Sequence, residues 1–317
     1  MVGRTVDFFF VGFPKSGTTT YYHLLKAHPE IFVPDIKEIN FFNSDYNREM
    51  EKRLGADYFQ LVNSEMEYLN FFKGSAGRIM GDFNPIYIFS RDAPASIFRH
   101  NPNAKILIAV REPVSFLRSF HFQSLYNMIE DEPDFLRALS LEGRRRAGES
   151  IPRYCPNPFH LMYSFLVEYA DHIKQFVDVF GVDRIKLILF DDIVKDEGGV
   201  YREILQFLNV GNTDFSPPRA DRNPSHALRF ARLRRIVLNP RVNKWLYTKI
   251  PPALLPLGAK ISQRIFKKEQ EKPHVSHKDI ERLKLHFRSN VFALNTFLNE
   301  TGLHQCDLVS LWGYQDY

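Results

Sequence analysis

Lys15 lies inside the loop VGFPKSGTTT, which joins a short apolar run to a helix-forming segment. Gly12 and Gly17 keep the spacing of a nucleoside-triphosphate loop, in which a lysine follows the second glycine and the next hydroxyl binds Mg²⁺. Here Thr18 occupies that lysine position. Backbone N–H groups and the positive end of a helix hold an anion without a metal. The loop predicts an anion site in which Lys15 reaches an oxygen between two anionic groups, the alternative being a purely structural turn.

Alternating strands and helices must position this loop. Apolar runs predict strands at 7–12, 78–83, 105–111 and 184–190, and helical periodicity predicts helices at 17–27, 91–100, 117–128, 159–180, 200–208 and 276–300. Pro113 marks a helix start directly after the third strand. Such alternation is typical of an α/β fold, in which helices cover both faces of a parallel sheet and ligands bind at the carboxyl ends of its strands.

Two segments interrupt the alternation. Residues 140–158, rich in Pro, Gly and Arg, predict a long loop that is either a mobile lid or a disordered excursion. Residues 219–268 carry thirteen Lys and Arg against one Asp, so the net charge of this basic segment is about +12. Since the whole chain has a net charge of +5, the rest of it carries about −7. A local positive charge suits an acidic ligand, an anionic polymer or a membrane surface, with a solvated basic face as the alternative.

Composition indicates a globular protein in a reducing compartment. The chain has 317 residues, 44% hydrophobic and 25% charged, which is ordinary for a folded soluble protein. Its two cysteines, Cys155 and Cys306, form neither a metal-binding pattern nor a disulfide framework. The apolar run 8–13 is too short for a membrane span and lacks the features of a signal peptide. We therefore expect a cytoplasmic protein.

The loop PKSGTTT, between an apolar strand and a helix followed by HPEIF, resembles the 5′-phosphosulfate loop of sulfotransferases that use 3′-phosphoadenosine 5′-phosphosulfate (PAPS). The resemblance runs from Phe8 to about Arg235 and implies a P-loop-like three-layer fold with a central parallel sheet. It also implies PAPS as co-substrate, adenosine 3′,5′-bisphosphate as product, and no metal. In this family Lys15 would touch the bridging oxygen as the sulfuryl group leaves. The implied loop ligands of PAPS are Lys15, Ser16, Gly17, Thr18, Thr19 and Thr20.

The segment AVREPVSFLRSFHFQ resembles the family's 3′-phosphate site, an arginine at a strand end and a serine eight residues later. Arg111 and Ser119 have that spacing. A guanidinium grips phosphate through two hydrogen bonds, and the serine adds a donor. The segment RNPSHALRFARLRR resembles a stretch of bacterial sulfotransferases near the 3′-phosphate and adenine. It implies Arg229 as a further nucleotide ligand, with Asn223 and Ser225 as lesser ones.

The segment IKEINFFN resembles the branch that includes the heparan sulfate enzymes, where a Glu before an aromatic pair is the catalytic base. Glu38 occupies that place, and a solvent-facing Glu is the alternative. The segment GDFNPIYIF departs from the family pattern, because Asp82 and Phe83 replace a Glu and a Lys. Asn84 stands where small-molecule enzymes of the family have a catalytic His. Glu38 is therefore the first candidate for the base, followed by Asp82 and His121.

Together these patterns predict a single sulfotransferase domain over residues 1–317. The basic segment 219–268 would close over the nucleotide, and residues 276–317 would form a C-terminal helical region. The predicted reaction moves a sulfuryl group from PAPS to a hydroxyl or amine of a carbohydrate or small-molecule acceptor, as in the bacterial branch of the family. Aromatic side chains near Glu38 would line an acceptor cleft or belong to the core, namely Phe41, Phe42, Tyr87 and Phe89.

Two other functions stay open on the sequence. One is a metal-dependent P-loop kinase or ATPase, and the other is a membrane- or nucleic-acid-binding module built on the basic segment. Thr18 in the lysine position and the Arg111–Ser119 pair oppose both. We expect no nucleic-acid partner, whereas peripheral membrane contact through IPPALLPLG stays open, as do the acceptor and the oligomeric state. Lys37 is interpreted as a surface lysine unless it contacts substrate.

Overall fold

The structure is a computed structural model that describes residues 5–55, 62–215, 226–228, 267–269 and 275–315. Its strands are β1 (Phe8–Gly12), β2 (Ile31–Phe32), β3 (Ile79–Phe83), β4 (Lys105–Val110), β5 (Ile185–Leu189), β6 (His226–Leu228) and β7 (Lys267–Glu269). The first five form one sheet in the order β2–β3–β1–β4–β5, and all their pairings are parallel. The strands β6 and β7 form a separate antiparallel pair.

Helices cover both faces of the sheet. They are α1 (Thr18–Ala27), α2 (Ser44–Leu54), α3 (Glu65–Asn70), α4 (Ala93–His100), α5 (Pro113–Tyr126), α6 (Phe135–Ser140), α7 (Glu142–Arg146), α8 (Tyr163–Leu166), α9 (Tyr169–Phe180), α10 (Phe190–Lys195), α11 (Glu197–Phe207), α12 (His277–Thr301) and α13 (Leu308–Leu311). One face packs against α1 and α11, and the other against α4, α5, α9 and α12. The predicted three-layer α/β fold is confirmed.

Alternation along the central strands explains these layers. In β1, Phe8 and Phe10 pack with Leu107 of β4 in one core, and Phe9 packs with Ile106 in the other. Every residue of β1 is buried, as expected for a parallel sheet covered on both faces. A side chain at Gly81 would place its Cβ 2.1 Å from the Phe8 ring, so this position of β3 must stay glycine for Phe8 to fit.

The single helix predicted at 159–180 is wrong, since three shorter elements occupy this stretch. A 3₁₀ turn at Pro158–Leu161 is followed by α8 and then by α9. The backbone leaves helical geometry at Met162 and at Glu168. The imidazole of His172 donates from Nε2 to the Phe165 carbonyl at 2.7 Å, which satisfies an acceptor near the second break. Apolar periodicity is preserved across both breaks, so the sequence pattern alone does not show them.

The long loop predicted at 140–158 is wrong for its first part, which includes α7. Arg145 of α7 is 1% exposed and donates two hydrogen bonds to Glu130, at 2.6 and 2.8 Å. The Tyr163 hydroxyl donates to the same carboxylate at 2.8 Å. An arginine-rich stretch predicts a solvated loop, but the bidentate hydrogen bonds from Arg145 to Glu130 hold this arginine in a buried helix instead.

The sequence did not predict several elements, among them β2, α2, α3, α6, α10 and α13. Most of the basic segment, including RFARLRRI and IPPALLPLG, lies outside the described residues. Within it, β6 lies against α5. Across the part of the chain described here, no helix combines the length and apolarity needed to cross a membrane.

Candidate active site

The loop after β1 forms a cradle of backbone donors. The Phe13 N–H donates to the Ala109 carbonyl of β4 at 2.7 Å, and Lys15 and Gly17 adopt left-handed φ angles of 63° and 90°. The left-handed conformation favours glycine at position 17, and a Cβ there would also meet the end of the Ile193 side chain at 2.8 Å. No side chain caps α1 at Gly17. Its first-turn N–H groups are therefore available to an anion.

The Ser16 hydroxyl also fits a missing ligand. Its oxygen is buried and has no hydrogen-bond partner among the residues that the structure describes. Buried hydroxyls almost always have a partner, because an unpaired one costs about 1–3 kcal/mol. An anion seated on the loop would supply the acceptor that Ser16 lacks.

Arg111 joins the loop to the ends of β4 and β5. One guanidinium nitrogen donates to the Lys15 carbonyl at 3.1 Å, and the guanidinium carbon lies 4.2 Å from the centre of the Phe190 ring. The Tyr169 hydroxyl donates to the Arg111 carbonyl at 2.9 Å. Ser119 lies two turns along α5 and is 4% exposed. Arg111 is thus fixed at the carboxyl edge of the sheet, where the sequence predicts ligand binding.

Glu38 reaches the same edge from the segment between β2 and α2. Its N–H donates to the Phe83 carbonyl at the end of β3, at 2.9 Å, and its φ angle of 60° is left-handed. Asn40, also left-handed at 58°, donates from Nδ2 to the Glu38 carbonyl at 2.8 Å. The Asn84 amide donates to Asn40 Oδ1 at 2.9 Å. Side-chain hydrogen bonds therefore hold Glu38 in an uncommon conformation, as is frequent at functional sites.

Lys37 is a site residue that the sequence analysis treated as a surface lysine. Its Nζ donates to the Thr19 hydroxyl of α1 at 3.1 Å and lies 5.2 Å from the centre of the Tyr22 ring. The segment bearing Glu38 is thus tied to the first turn of α1. The place of Lys37 next to Glu38 in the sequence was the signal that could have identified it as a candidate site residue. Phe190, which directly follows β5, was missed as well.

The charges of Lys15, Lys37, Glu38 and Arg111 act on one another. Burial, followed by Arg111 and Lys37, lowers the pKa of Lys15, whereas Glu38 acts in the opposite sense. Burial also lowers the pKa of Lys37. The pKa of Glu38 is raised by the surrounding protein, against the effect of Lys37 and Lys15, although solvent still reaches the residue. Lys15, with Arg111 and Lys37 on one side of the balance and only Glu38 on the other, leaves excess positive charge here, which an anionic ligand would neutralise.

Asp82 and His121, the other candidates for the base, have different surroundings. Asp82 is 1% exposed and accepts hydrogen bonds from the hydroxyls of Tyr68 and Tyr87, at 3.0 and 3.2 Å. His121 is buried, with Nδ1 2.9 Å from the Tyr163 hydroxyl and Nε2 3.4 Å from the Pro133 carbonyl. Both belong to buried hydrogen-bond networks, which favours Glu38 as the base.

We expect the substitution Asp82→Asn to change the pH dependence of stability more than turnover. Burial raises the pKa of Asp82 from 3.8 to about 6. The protonated carboxyl therefore contributes stability that is fully present below about pH 4 and is lost as pH rises through about 6, a change of about 2–3 kcal/mol. The free energy of unfolding of the wild type, measured relative to the variant by urea denaturation, should fall over this range. A difference that does not vary with pH would contradict the raised pKa.

The aromatic residues suggested for an acceptor cleft belong mostly to the core. Phe42, Tyr87 and Phe89 are 3%, 0% and 6% exposed. Phe41 is partly buried and stacks on Tyr68, with ring centres 4.9 Å apart and planes at 15°. The sugar-stacking interpretation therefore does not hold for Phe42, Tyr87 and Phe89.

Three predicted ligands, Arg229, Asn223 and Ser225, lie outside the described residues. Arg229 directly follows β6, and β6 lies against α5, the helix that carries Ser119. Among the described residues, no group of three or more His, Cys, Asp or Glu side chains is arranged to hold a metal ion.

Comparison with known proteins gives a consistent family. A family model described as "Sulfotransferase domain" matches residues 5–239. The mouse "Heparan sulfate glucosamine 3-O-sulfotransferase 3A1" is 25% identical over 200 residues, which are 63% of this chain and 44% of that protein. The human "Heparan sulfate glucosamine 3-O-sulfotransferase 6" is 25% identical over 202 residues, 63% of this chain and 51% of that protein. The chain spans about half the length of these relatives.

A solved structure shows the same fold. The "Sulfotransferase from Alicyclobacillus acidocaldarius" superposes with a TM-score of 0.67 at 24% identity, covering 98% of this chain and all of that one. The family match covers most of the sequence, including the anion cradle, Glu38 and Arg111. With its parallel sheet and the cradle at the carboxyl edge, the chain belongs to the sulfotransferase domain family.

Proposed function

We propose that this protein transfers a sulfuryl group from PAPS to a hydroxyl or amine of an acceptor, without a metal. The observation that carries the proposal is the cradle around Lys15, with uncapped N–H groups of α1, the unpaired Ser16 hydroxyl and Arg111 bonded to its backbone. The phosphosulfate would lie on residues 15–20. Its 3′-phosphate would lie by Arg111 and Ser119, with Arg229 as the further nucleotide ligand.

Each residue has a distinct chemical role in the proposed reaction. Glu38 accepts the proton of the acceptor hydroxyl, while the acceptor oxygen forms a bond to sulfur and the bond from sulfur to the bridging oxygen breaks. Lys15 donates a hydrogen bond to the bridging oxygen, which leaves as part of the phosphate of adenosine 3′,5′-bisphosphate. Lys37, bonded to Thr19, fixes the distance between the Glu38 segment and the cradle. Positioning and charge stabilisation supply most of the rate, as in phosphoryl transfer.

The proposed acceptor is a hydroxylated carbohydrate, with a small hydroxylated molecule as the alternative. Support comes from the heparan sulfate enzymes among the relatives, although this chain spans about half their length. The rim beside Glu38 carries Lys37 and the exposed Ile36, at 56% exposure, rather than an aromatic wall. A cationic, open rim suits a polar or anionic acceptor better than a flat apolar one.

The proposal predicts strong stabilisation by adenosine 3′,5′-bisphosphate. A ligand that binds only the folded state at one hundred times its Kd adds about 2.7 kcal/mol to the free energy of unfolding. This appears as a raised Tm in a thermal-shift titration. Adenosine 5′-monophosphate, which lacks the 3′-phosphate, serves as the matched control and should give a much smaller shift.

The same titration separates the competing functions. Stabilisation by ATP with Mg²⁺, but not by the bisphosphate, would indicate a kinase or ATPase and overturn the proposal. Following a positive shift, transfer of radioactive sulfur from PAPS to heparan sulfate oligosaccharides or to small hydroxylated compounds identifies the acceptor class.

A further inference from the structure

The C-terminal clip, Trp312–Tyr314, packs under the predicted nucleotide site although it lies beyond the family match at residues 5–239. Trp312 is 4% exposed and Tyr314 is fully buried. Lys284 of α12 donates to the carbonyls of Trp312 and Gly313, at 2.7 and 3.2 Å. Gly313 has a left-handed φ of 66°, and a Cβ there would lie 3.2 Å from Lys284 Nζ. The clip is therefore a turn that is hydrogen-bonded to α12.

Two side chains of the clip reach the strand ends that form the predicted 3′-phosphate site. The Tyr314 hydroxyl donates to Glu112 Oε1 at 2.6 Å, and Trp312 Nε1–H donates to Asp191 Oδ2 at 3.0 Å. Glu112 directly follows Arg111 in the chain, and Asp191 directly follows Phe190. Each hydrogen bond therefore fixes the neighbour of one member of the stacked Arg111–Phe190 pair.

Glu112 has a second role that transmits this contact. Its carboxylate caps α5, accepting from the N–H groups of Val114 at 2.9 Å and Ser115 at 2.7 Å. The same carboxylate thus connects Tyr314 to the first turn of the helix that carries Ser119. The Glu112 carboxylate therefore helps to fix the position of Arg111 relative to Ser119.

The charges of the two acceptors also act on Arg111. Burial lowers the pKa of Arg111, and the nearby Tyr169, Glu112 and Asp191 act in the opposite sense. The hydrogen bonds from Tyr314 and Trp312 fix the two carboxylates beside the guanidinium.

We propose that Tyr314 and Trp312 are positioning residues, which hold Arg111 and Phe190 in the geometry that binds the 3′-phosphate of the nucleotide. This inference rests on the proposed function. It assigns to the C-terminal region, beyond the family match, a part in nucleotide affinity. The clip contacts neither Lys15 nor Glu38 in the described structure, so chemistry after binding should depend on it little.

The test measures the Kd of adenosine 3′,5′-bisphosphate by isothermal titration calorimetry. The variants Tyr314→Phe and Trp312→Phe each remove one hydrogen-bond donor and keep an aromatic ring in the core. Each should weaken binding roughly three- to tenfold, the effect of about one ordinary hydrogen bond. With PAPS, KM for the nucleotide should rise by a similar factor while kcat stays within twofold.

Ser310→Ala supplies the matched control, because its hydroxyl bonds Asp307 in the same C-terminal region and touches neither strand end. It should leave the Kd unchanged. A double-mutant cycle with Arg111→Lys gives the readout that a merely structural role would not move. Lysine lacks the planar guanidinium that binds phosphate through two hydrogen bonds and stacks on Phe190. Tyr314→Phe should therefore raise the Kd by a smaller factor in the Arg111→Lys background.

The outcomes separate the two proposals. Wild-type protein that fails to bind the bisphosphate overturns the proposed function, and the role of the clip is refuted with it. Wild-type binding with an unchanged Kd in both clip variants overturns only the positioning role. Equal losses in the wild-type and Arg111→Lys backgrounds, or a fall in kcat larger than the rise in KM, also refute it.

Discussion

Replacing Lys15 by alanine should lower kcat for sulfuryl transfer by at least about a hundredfold, by analogy with the removal of one oxyanion-hole donor. The reason lies in the position of the ammonium group within the cradle, where burial and two neighbouring cations favour close approach of an anion. The hydrogen bond that we propose from Lys15 to the bridging oxygen would strengthen as negative charge develops there, so the loss should fall on kcat. Turnover with saturating PAPS and acceptor measures the effect.

Binding of adenosine 3′,5′-bisphosphate should suffer less from Lys15→Ala than turnover does. The N–H groups of α1 and the Arg111 side chain remain in place, and the product has no bridging oxygen to sulfate. Lys174→Ala is the matched control, since Lys174 forms an exposed ion pair with Asp178 on α9 and should leave kcat unchanged. A Lys15→Ala enzyme that turns over near the wild-type rate would refute the assignment of Lys15 to the leaving group.

Local signals in the sequence were sufficient to predict four of the five strands of the central sheet, β1, β3, β4 and β5, and the candidate anion loop. The runs at β1 and β4 are apolar throughout, as strands buried on both faces must be. The loop after β1 combines glycine spacing with a lysine and hydroxyls within ten residues. Glu112 and Pro113 are a cap and a first helical residue, so the start of α5 was also visible in the sequence.

The contacts that complete the site could not be predicted, because they join residues far apart in the chain. Phe190 stacks on Arg111 from the end of β5, and Tyr314 bonds Glu112 across 202 positions. The hydrogen-bonding partner of Lys37 is Thr19, which becomes its neighbour only when the segment after β2 folds back on α1. The arginine-rich composition around Arg145 predicted an exposed loop. Arg145 is buried instead because it donates two hydrogen bonds to Glu130, fifteen positions earlier in the chain.

The predicted ordering of the candidate bases gains support from the same long-range contacts. Asp82 and His121 were compatible with catalysis on sequence position alone. The tyrosines that surround Asp82 come from α3 and from the turn after β3, and Tyr163 lies 42 positions beyond His121. Glu38 differs from both, since solvent reaches it and the charges of Lys37 and Lys15 act on its carboxylate.

Glu38→Gln should lower kcat by about 10²–10⁴-fold, the usual contribution of a general base, and leave the Kd of adenosine 3′,5′-bisphosphate nearly unchanged. The amide keeps the size of the side chain and its place beside Lys37 but cannot accept the acceptor's proton. Single-turnover rates with PAPS prebound measure the chemical step apart from product release. Glu300→Gln, at the exposed end of α12, is the matched control and should be silent.

The pH profile distinguishes Glu38 from Asp82 as the base. The base acts when ionised, so the rate should rise with pH through its pKa, and the surrounding protein raises the pKa of Glu38. The acidic limb should therefore lie at higher pH than for an ordinary glutamate, and the bound anion should move it further up. Glu38→Gln should abolish this limb, whereas Asp82→Asn should keep it with a rate within about tenfold of the wild type. If Asp82→Asn abolishes the limb and Glu38→Gln retains it, Asp82 is the base and the role proposed for Glu38 is refuted.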